Sequence, residues 1–314
     1  MGQECYIDLK EMVLNAQLPI IQGVGPSRQW LPPGGWKTVM EFFRERYPHV
    51  NPETWARRMA KGQVIDERGR QVDTETPYRV GACIFYYREL ENEERIPFAE
   101  HVLYQDEHIL VAYKPHFLPV IPAGRFLHET LLVRLRRKLG SEYLVPIHRL
   151  DRETAGTVLF SLNPKTTHYY TSLFQSRKIV RVYEALAPSP ADTSFSKIRR
   201  SRIVRGEPFF RMKEVEGEAN SETHISLSRH RGTTSLYELK PTTGKKHQLR
   251  LHLAALGTPI INDRLYPVMT SSSEDDFSRP LKLLAKSICF HDPVTNRSRY
   301  FESDESLCPS LNLY

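Results

Sequence analysis

Pro146-Ile-His-Arg-Leu-Asp151-Arg-Glu-Thr-Ala-Gly156-Thr-Val-Leu-Phe-Ser161 sets three ionisable residues, His148, Arg149 and Asp151, against an apolar run from Thr157 to Leu162. The run has the length of a buried strand, and Gly156 marks the turn that leads into it. A carboxylate beside such a strand needs a partner, because burial disfavours an unpaired charge. Taken alone, an Asp in a loop is more often a turn or capping residue, with its neighbouring arginines solvated. Whether Asp151 is more than that depends on what the rest of the chain can bring to it.

Two later segments are candidates. Arg181-Val-Tyr183-Glu-Ala185 lies in a run from Ile179 to Ala187 with the composition of a strand. After a glycine turn at Gly244, Lys245-Lys246-His247-Gln248-Leu249-Arg250 leads to Gly257 and reads as a short helix closed by its C-terminal glycine, with Lys246, His247 and Arg250 near one face of its first turn. Around them the pattern predicts a strand over 108–113, a helix over 126–140, a helix from Asn163-Pro164 to about Arg177, strands over 224–229 and 235–240, and a closing strand pair at 287–290 and 298–301. Residues 188–222, rich in Ser, Pro, Arg and Glu, read as an exposed insertion.

Upstream, Trp36, Val39, Met40 and Phe43 recur at helical spacing and the helix should stop before Pro48. A second helix has Asn51 as N-cap, Pro52 in its first turn and Gly62 past its end, and short strands follow at Val64-Ile65 and from Val80 to Tyr87. This predicts an extension over 1–35, a small basic module over 36–96 carrying Arg44, Arg46, Arg57, Arg58, Lys61, Arg68 and Arg70, an acidic linker at 89–94, and a larger domain over 97–314. The small module resembles an S4-like RNA-binding domain.

A net charge of +7 favours a polyanionic partner without requiring one. Cys5, Cys83, Cys289 and Cys308 contain no C-x-x-C pair, so neither a zinc site nor a disulfide framework is indicated, and free thiols in a reducing cytosol are expected. No apolar run reaches membrane-spanning length and the first residues lack a signal-peptide core, so a cytoplasmic protein with no membrane partner is expected. His148 with Asp151, and His247 with His252, lack metalloprotease spacing and a third convergent ligand, which argues against a metal.

Taken together, His148-Arg149-Leu150-Asp151, Arg181-Val-Tyr183-Glu-Ala185, and His247-Gln248-Leu249-Arg250 with the tail Gly257-Thr-Pro-Ile-Ile-Asn-Asp263-Arg-Leu-Tyr266 resemble the three signatures of the RluA family of pseudouridine synthases. Lys114-Pro115, Leu284-Ala285 and Phe290-His291-Asp-Pro293 match weaker family marks, and order and spacing agree over roughly residues 98–302. The resemblance implies an α+β fold whose catalytic domain has a mixed, mainly antiparallel sheet. It also implies isomerisation of a specific uridine in structured ribosomal or transfer RNA with no cofactor or metal; a monomer with no obligatory protein partner is expected. Asp151 matches the catalytic aspartate, Tyr183 the tyrosine that stacks on uracil and is a candidate for removing the C5 proton, Arg250 the residue that pairs with the aspartate, and Arg149 the arginine that helps flip the base. His148, Arg152, Lys246, His247 and Gln248 are the remaining candidates for RNA contact, with His148 and His247 expected to be either structural or RNA-facing. Attack at the sugar C1′ and elimination to a glycal are both compatible with these residues.

The residue types suit this chemistry independently. A pocket that grips uracil is largely apolar and raises an isolated carboxylate's pKa, and a fixed guanidinium opposes that shift. Stacking of a flipped base on an aromatic ring is worth roughly 1–3 kcal/mol. The sequence departs from the family pattern at Ala155, where Ser is common, at Lys245-Lys246 in place of Arg-Thr, and at Asn262, where glycine is frequent. The competing readings are a catalytically silent RNA-binding or RNA-chaperone protein, and a glycosidase-like hydrolase, which needs a second carboxylate across the bond.

Overall fold

The computed structural model describes residues 19–90, 92–141, 143–191, 195–270 and 275–307. Two compact units divide between Glu93 and Glu94. In the smaller, β1 (Ser27–Trp30), α1 (Val39–Arg46), α2 (Pro52–Ala60), β2 (Val64–Asp66) and β3 (Cys83–Tyr86) form an antiparallel sheet of order β1-β3-β2 under two helices. Thr38 caps α1 and Asn51 caps α2, each side-chain oxygen accepting a backbone N–H two or three residues on. Phe43 of α1 and Trp55 of α2 meet with ring centroids 4.4 Å apart in a shared core with Val64, Ile84 and Tyr86. Part of the segment expected as a separate extension thus belongs to this unit, because β1 pairs with β3; residues 1–18 lie outside the described residues. Arg58 is buried against the Trp55 ring, so it is structural, while Arg44, Arg46, Arg57, Lys61, Arg68 and Arg70 are exposed.

The larger unit runs β4 (His101–Gln105), β5 (Ile109–Lys114), α3 (Leu131–Leu139), β6 (Val145–Pro146), β7 (Ala155–Ser161), α4 (Thr167–Gln175), β8 (Ile179–Pro188), β9 (Ser196–Arg205), β10 (Met212–Val215), β11 (Ser221–Arg231), β12 (Thr234–Pro241), α5 (Gln248–Ala255), β13 (Leu283–His291) and β14 (Ser298–Glu302). Its sheet has the order β10-β9-β11-β12-β8-β13-β7-β5-β4, with β14 on β13 and β6 on β7. Among the described strands every pairing is antiparallel except that of β7 with β13. The α+β fold with a mixed, mainly antiparallel sheet is the one the sequence predicts.

Period-two alternation places the sheet between two cores. Leu110, Ala112, Val158 and Phe160 face one that includes Leu131, Leu135, Leu249 and Leu253 of α3 and α5. Ile109, Val111 and Leu159 face the other, with Tyr170 and Leu173 of α4. With both faces covered, β7 is buried along its whole length, which is why Thr157 to Leu162 reads as a continuous apolar run.

Three predicted stretches differ from expectation. Helix α3 starts at Leu131 because Thr130 caps it and Ala123 bridges to Phe126 upstream. Helix α4 starts at Thr167 because the Asn163 side chain accepts the Lys165 N–H and holds a turn there. The expected insertion contains β9 and β10, an ordered hairpin that extends the sheet from β11. Its strands are half-exposed and alternate charged residues, so no apolar run betrays them.

Candidate active site

The opening stretch forms the loop between β6 and β7. Pro146 pairs with Phe160, the Ile147 N–H bonds Leu159 O at 2.9 Å, and the Leu159 N–H donates to His148 Nε2 at 3.1 Å. Asp151 O accepts the Thr154 N–H at 3.1 Å, so Arg152 and Glu153 form the corner of a turn. Gly156 then enters the parallel seam with φ +122°, where a Cβ would lie 2.2 Å from Ala285 O. Glycine is therefore required for two strands to approach so closely. Ala285 also stands opposite Tyr183, so Gly156, Ala285 and Tyr183 lie in one row across β7, β13 and β8. That row brings Tyr183 within electrostatic reach of Asp151.

Lys114, opposite Gly156 at the end of β5, fixes the loop from below. It is fully buried, and its Nζ donates to Pro115 O at 2.9 Å, Leu118 O at 2.7 Å and Arg152 O at 3.0 Å, using all three ammonium protons. Burial pushes its pKa down to about 7, and the charges of Glu153 and Asp151 oppose that shift.

Helix α5 supplies the cation. Arg250 is 1% exposed; its Nε and Nη2 bind Asp263 at 2.8 and 2.7 Å. Burial works against its charge, but the Asp263 bonds more than compensate and its pKa is raised. Nη1 is buried with no hydrogen-bond partner among the described residues, and it lies 3.6 Å from Glu153 Oε2 and 4.0 Å from Asp151 Oδ2. Arg250 is thus shared: its close ion pair is with Asp263, and the expected pairing with Asp151 is a looser contact through the nitrogen that Asp263 leaves over, which Glu153 also faces. His247 Nε2 is likewise 4.0 Å from Asp151 Oδ2, and its Nδ1 meets Tyr266 Oη at 2.8 Å. His247 has φ +58°, a left-handed conformation that costs a non-glycine residue roughly 1–2 kcal/mol and is typical of functional sites. Burial lowers its pKa, against the pull of Asp151.

The Asp151 side chain is 26% exposed, enough to be reached by a substrate. Beside it opens a cleft of about 730 Å³ lined by Glu153, Lys246, His247 and Arg250, with Phe117 and Phe210 among its apolar residues. Asn262, in the position where glycine is frequent, has φ +64°; Asn tolerates that conformation better than most residues, so the loop is kept. Among the described residues no cluster of His, Cys, Asp or Glu is placed to hold a metal ion, and no helix is long and apolar enough to cross a membrane.

Asp151, Tyr183, Arg250 and His247 converge, with Arg149 and Lys246 exposed within electrostatic reach of one another. Three of the candidates for RNA contact have work in the fold, and for His148 this is the structural alternative that the sequence left open. The Gln248 amide is buried, accepting from Thr243 and Lys245 and donating to Glu222 and Thr223, so no hydrogen-bonding capacity remains. His148 stacks on Phe174 at 4.8 Å and accepts a backbone N–H, for which burial, pushing its pKa down to about 3, keeps it neutral. Arg152 binds both oxygens of Asp275 at 2.6 and 2.8 Å.

Glu153, Asp263 and Lys114 are residues whose place in the site the sequence reading did not foresee. Asp263 and Lys114 stand inside quoted motifs, but only tertiary packing reveals what they hold. Glu153 is the second carboxylate that a glycosidase would need. Burial alone would raise its pKa, but Arg250 and Arg152 beside it bring it below the ordinary value, so it is ionised and cannot protonate a leaving group.

Over residues 108–255 the sequence matches the family described as RNA pseudouridylate synthase. It is 30% identical over 233 residues to an uncharacterized RNA pseudouridine synthase of Synechocystis sp., covering 73% of this chain and 79% of that one. It is 28% identical over 205 residues to the dual-specificity RNA pseudouridine synthase RluA of Haemophilus influenzae, covering 64% of this chain and 91% of the relative. The fold is similar to that of human RNA pseudouridylate synthase domain containing 1, with a TM-score of 0.55 at 21% identity over 66% of this chain and 84% of that one.

Proposed function

Since the chain belongs to the RluA-type family of RNA pseudouridine synthases, we propose that it isomerises a specific uridine of structured ribosomal or transfer RNA with Asp151 as the reacting carboxylate. The observation that carries this assignment is the buried Nη1 of Arg250, without a hydrogen-bond partner among the described residues and facing two carboxylates, Asp151 at 4.0 Å and Glu153 at 3.6 Å, while Asp263 fixes the rest of the guanidinium. A preset positive charge of this kind draws the Asp151 carboxylate toward α5 and orients it beside the cleft.

In this reading the N1–C1′ bond of the uridine breaks, the uracil turns in the cleft, and C5 bonds to C1′ as its proton leaves and N1 gains one. Asp151 acts at the sugar. Burial raises the pKa of the Tyr183 hydroxyl, which makes the phenolate needed as a base at C5 scarce and favours the ring as the surface for the uracil. Arg149, exposed two residues before Asp151, suits insertion into the stack that the uridine leaves. The smaller unit is read as an S4-like RNA-binding module on the strength of its two helices and exposed Arg44, Arg46, Arg57, Lys61 and Arg68. The chain is read as a monomer that needs neither cofactor nor protein partner. The free thiols of Cys83 and Cys289 suit a reducing cytoplasm.

Pseudouridine mapping in total RNA from cells with and without the gene tests the assignment. A site lost on deletion should return with the wild-type gene and stay lost with Asp151→Asn, whose protein still binds RNA. Return of the site with Asp151→Asn would remove the carboxylate from the mechanism. No change at any uridine, with RNA binding intact, would favour the silent RNA-binding protein.

A further inference from the structure

The hairpin of β9 and β10 ends in Gly206-Glu-Pro-Phe-Phe-Arg211, and Phe209 at its tip is 81% exposed, more than any other large apolar side chain among the described residues. The tip is held. The Gly206 N–H bonds Arg211 O at 3.0 Å, the Arg211 N–H bonds Pro208 O at 2.8 Å, and the Phe209 and Phe210 rings meet nearly at right angles with centroids 5.6 Å apart. It is also tied to the cleft: Phe210 lines it and its carbonyl accepts Lys246 Nζ at 2.9 Å, while the Met212 N–H donates to Tyr266 Oη, which meets His247 Nδ1. Around it lie exposed cations, with Glu207 the one acid of the tip itself. Arg205 closes the end of β9, and both Arg205 and Arg149 are within electrostatic reach of Lys246.

A rigid aromatic ring held out in water among cations beside a base-binding cleft matches what unpaired RNA presents, a flat base on an anionic backbone. We propose that Phe209 is a stacking platform for an unpaired nucleobase flanking the target uridine, with Arg205, Lys246 and Arg149 taking the adjoining phosphates. This rests on the pseudouridine synthase reading and adds a determinant of which uridine is chosen: only one whose neighbour is free to stack. A partner protein would be recognised by a broader apolar surface, and the charge around Phe209 disfavours it.

The test compares the full chain with its Phe209→Ala, Phe209→Leu and Phe209→Tyr variants. One readout is pseudouridine formation in total RNA from the deletion strain as RNA concentration is varied; the other is quenching of a short oligouridylate carrying one 2-aminopurine. Phe209→Ala and Phe209→Leu should raise KM by roughly fivefold or more, with a smaller change in kcat, and lose the quenching, whereas Phe209→Tyr keeps both. Leucine as good as phenylalanine in both readouts would overturn stacking and point to a protein partner. Wild-type KM and quenching in Phe209→Ala would overturn the platform altogether. A wild-type protein that quenches the probe but forms no pseudouridine would leave the platform standing and sink the enzymatic reading instead.

Discussion

Asp263 grips Arg250 through two parallel bonds of 2.8 and 2.7 Å, and that grip decides which nitrogen of the guanidinium faces Asp151. Both partners are 1% exposed in their side chains, so the pair is held in the protein interior, and the remaining Nη1 is presented to the site at the cost of having no bond of its own. Arg250 therefore stands in two relationships, bound to Asp263 and facing Asp151 and Glu153 at 4.0 and 3.6 Å.

Removing the structural partner should damage both. Asp263→Ala leaves a buried guanidinium unpaired, which costs on the order of 3–5 kcal/mol. Arg250→Lys keeps the charge but loses the fork, so a stable protein with activity reduced by roughly a hundredfold is expected. Urea unfolding with single-turnover kinetics separates the two effects; Asp263→Ala with normal stability and turnover would show that the grip does not orient the site.

The Lys114 ammonium ties three carbonyls, one of them Arg152 O directly after Asp151. Lys114→Met is close in volume and abolishes all three bonds, leaving buried acceptors without donors. A loss of roughly 2–4 kcal/mol is expected, together with a kcat that falls by at least about tenfold because the Asp151 loop is no longer anchored. A variant that is destabilised yet turns over normally at saturating RNA would reduce Lys114 to a purely structural residue.

What the sequence made legible follows from the reach of local signals. Asp151, Tyr183 and Arg250 stand in contiguous motifs whose order can be read, and the runs of β5, β7 and β8 carry unbroken strand composition. Asp263 and Lys114 could be quoted but not given work, since their partners lie 13 residues away in one case and up to 38 in the other. Gln248 misled in the opposite sense: a polar residue at the start of α5 looks available until its amide is found saturated inside. The β9 and β10 hairpin was illegible because an outer strand of Lys, Arg and Ser carries no hydrophobic period, and β11 supplies its register.

Gly156 tests the seam on which the site is built. With φ +122° and Ala285 O at 2.2 Å, a methyl group meets both backbone strain and a wall of main chain. Gly140, the C-cap of α3, has φ +62° with nothing within 4 Å of its virtual Cβ, so it carries only the conformational cost. Gly140→Ala should cost about 1–2 kcal/mol, and Gly156→Ala clearly more, roughly 3 kcal/mol or above, with loss of activity as β7 and β13 separate. Equal melting temperatures for the two variants would mean that the seam gives way without resistance.

His148 makes a prediction about acid. Its Nε2 accepts the Leu159 N–H, which requires the neutral ring, and burial, with Arg181 nearby, pushes its pKa down from 6.5 to about 3. The unfolded chain therefore binds a proton that the folded chain refuses between these values, and stability rises with pH across that window. The contribution is fully present above pH 6.5 and is lost as pH falls toward 3. His148→Gln, which keeps an acceptor but cannot titrate, should be less stable than the wild type near neutrality through loss of the Phe174 stack. Between about pH 7 and pH 4 the wild type should lose roughly 3 kcal/mol relative to the variant, read from urea unfolding at each pH. Parallel pH profiles for the two proteins would mean that His148 accepts a proton in the folded state, and that the Leu159 bond does not hold the ring neutral.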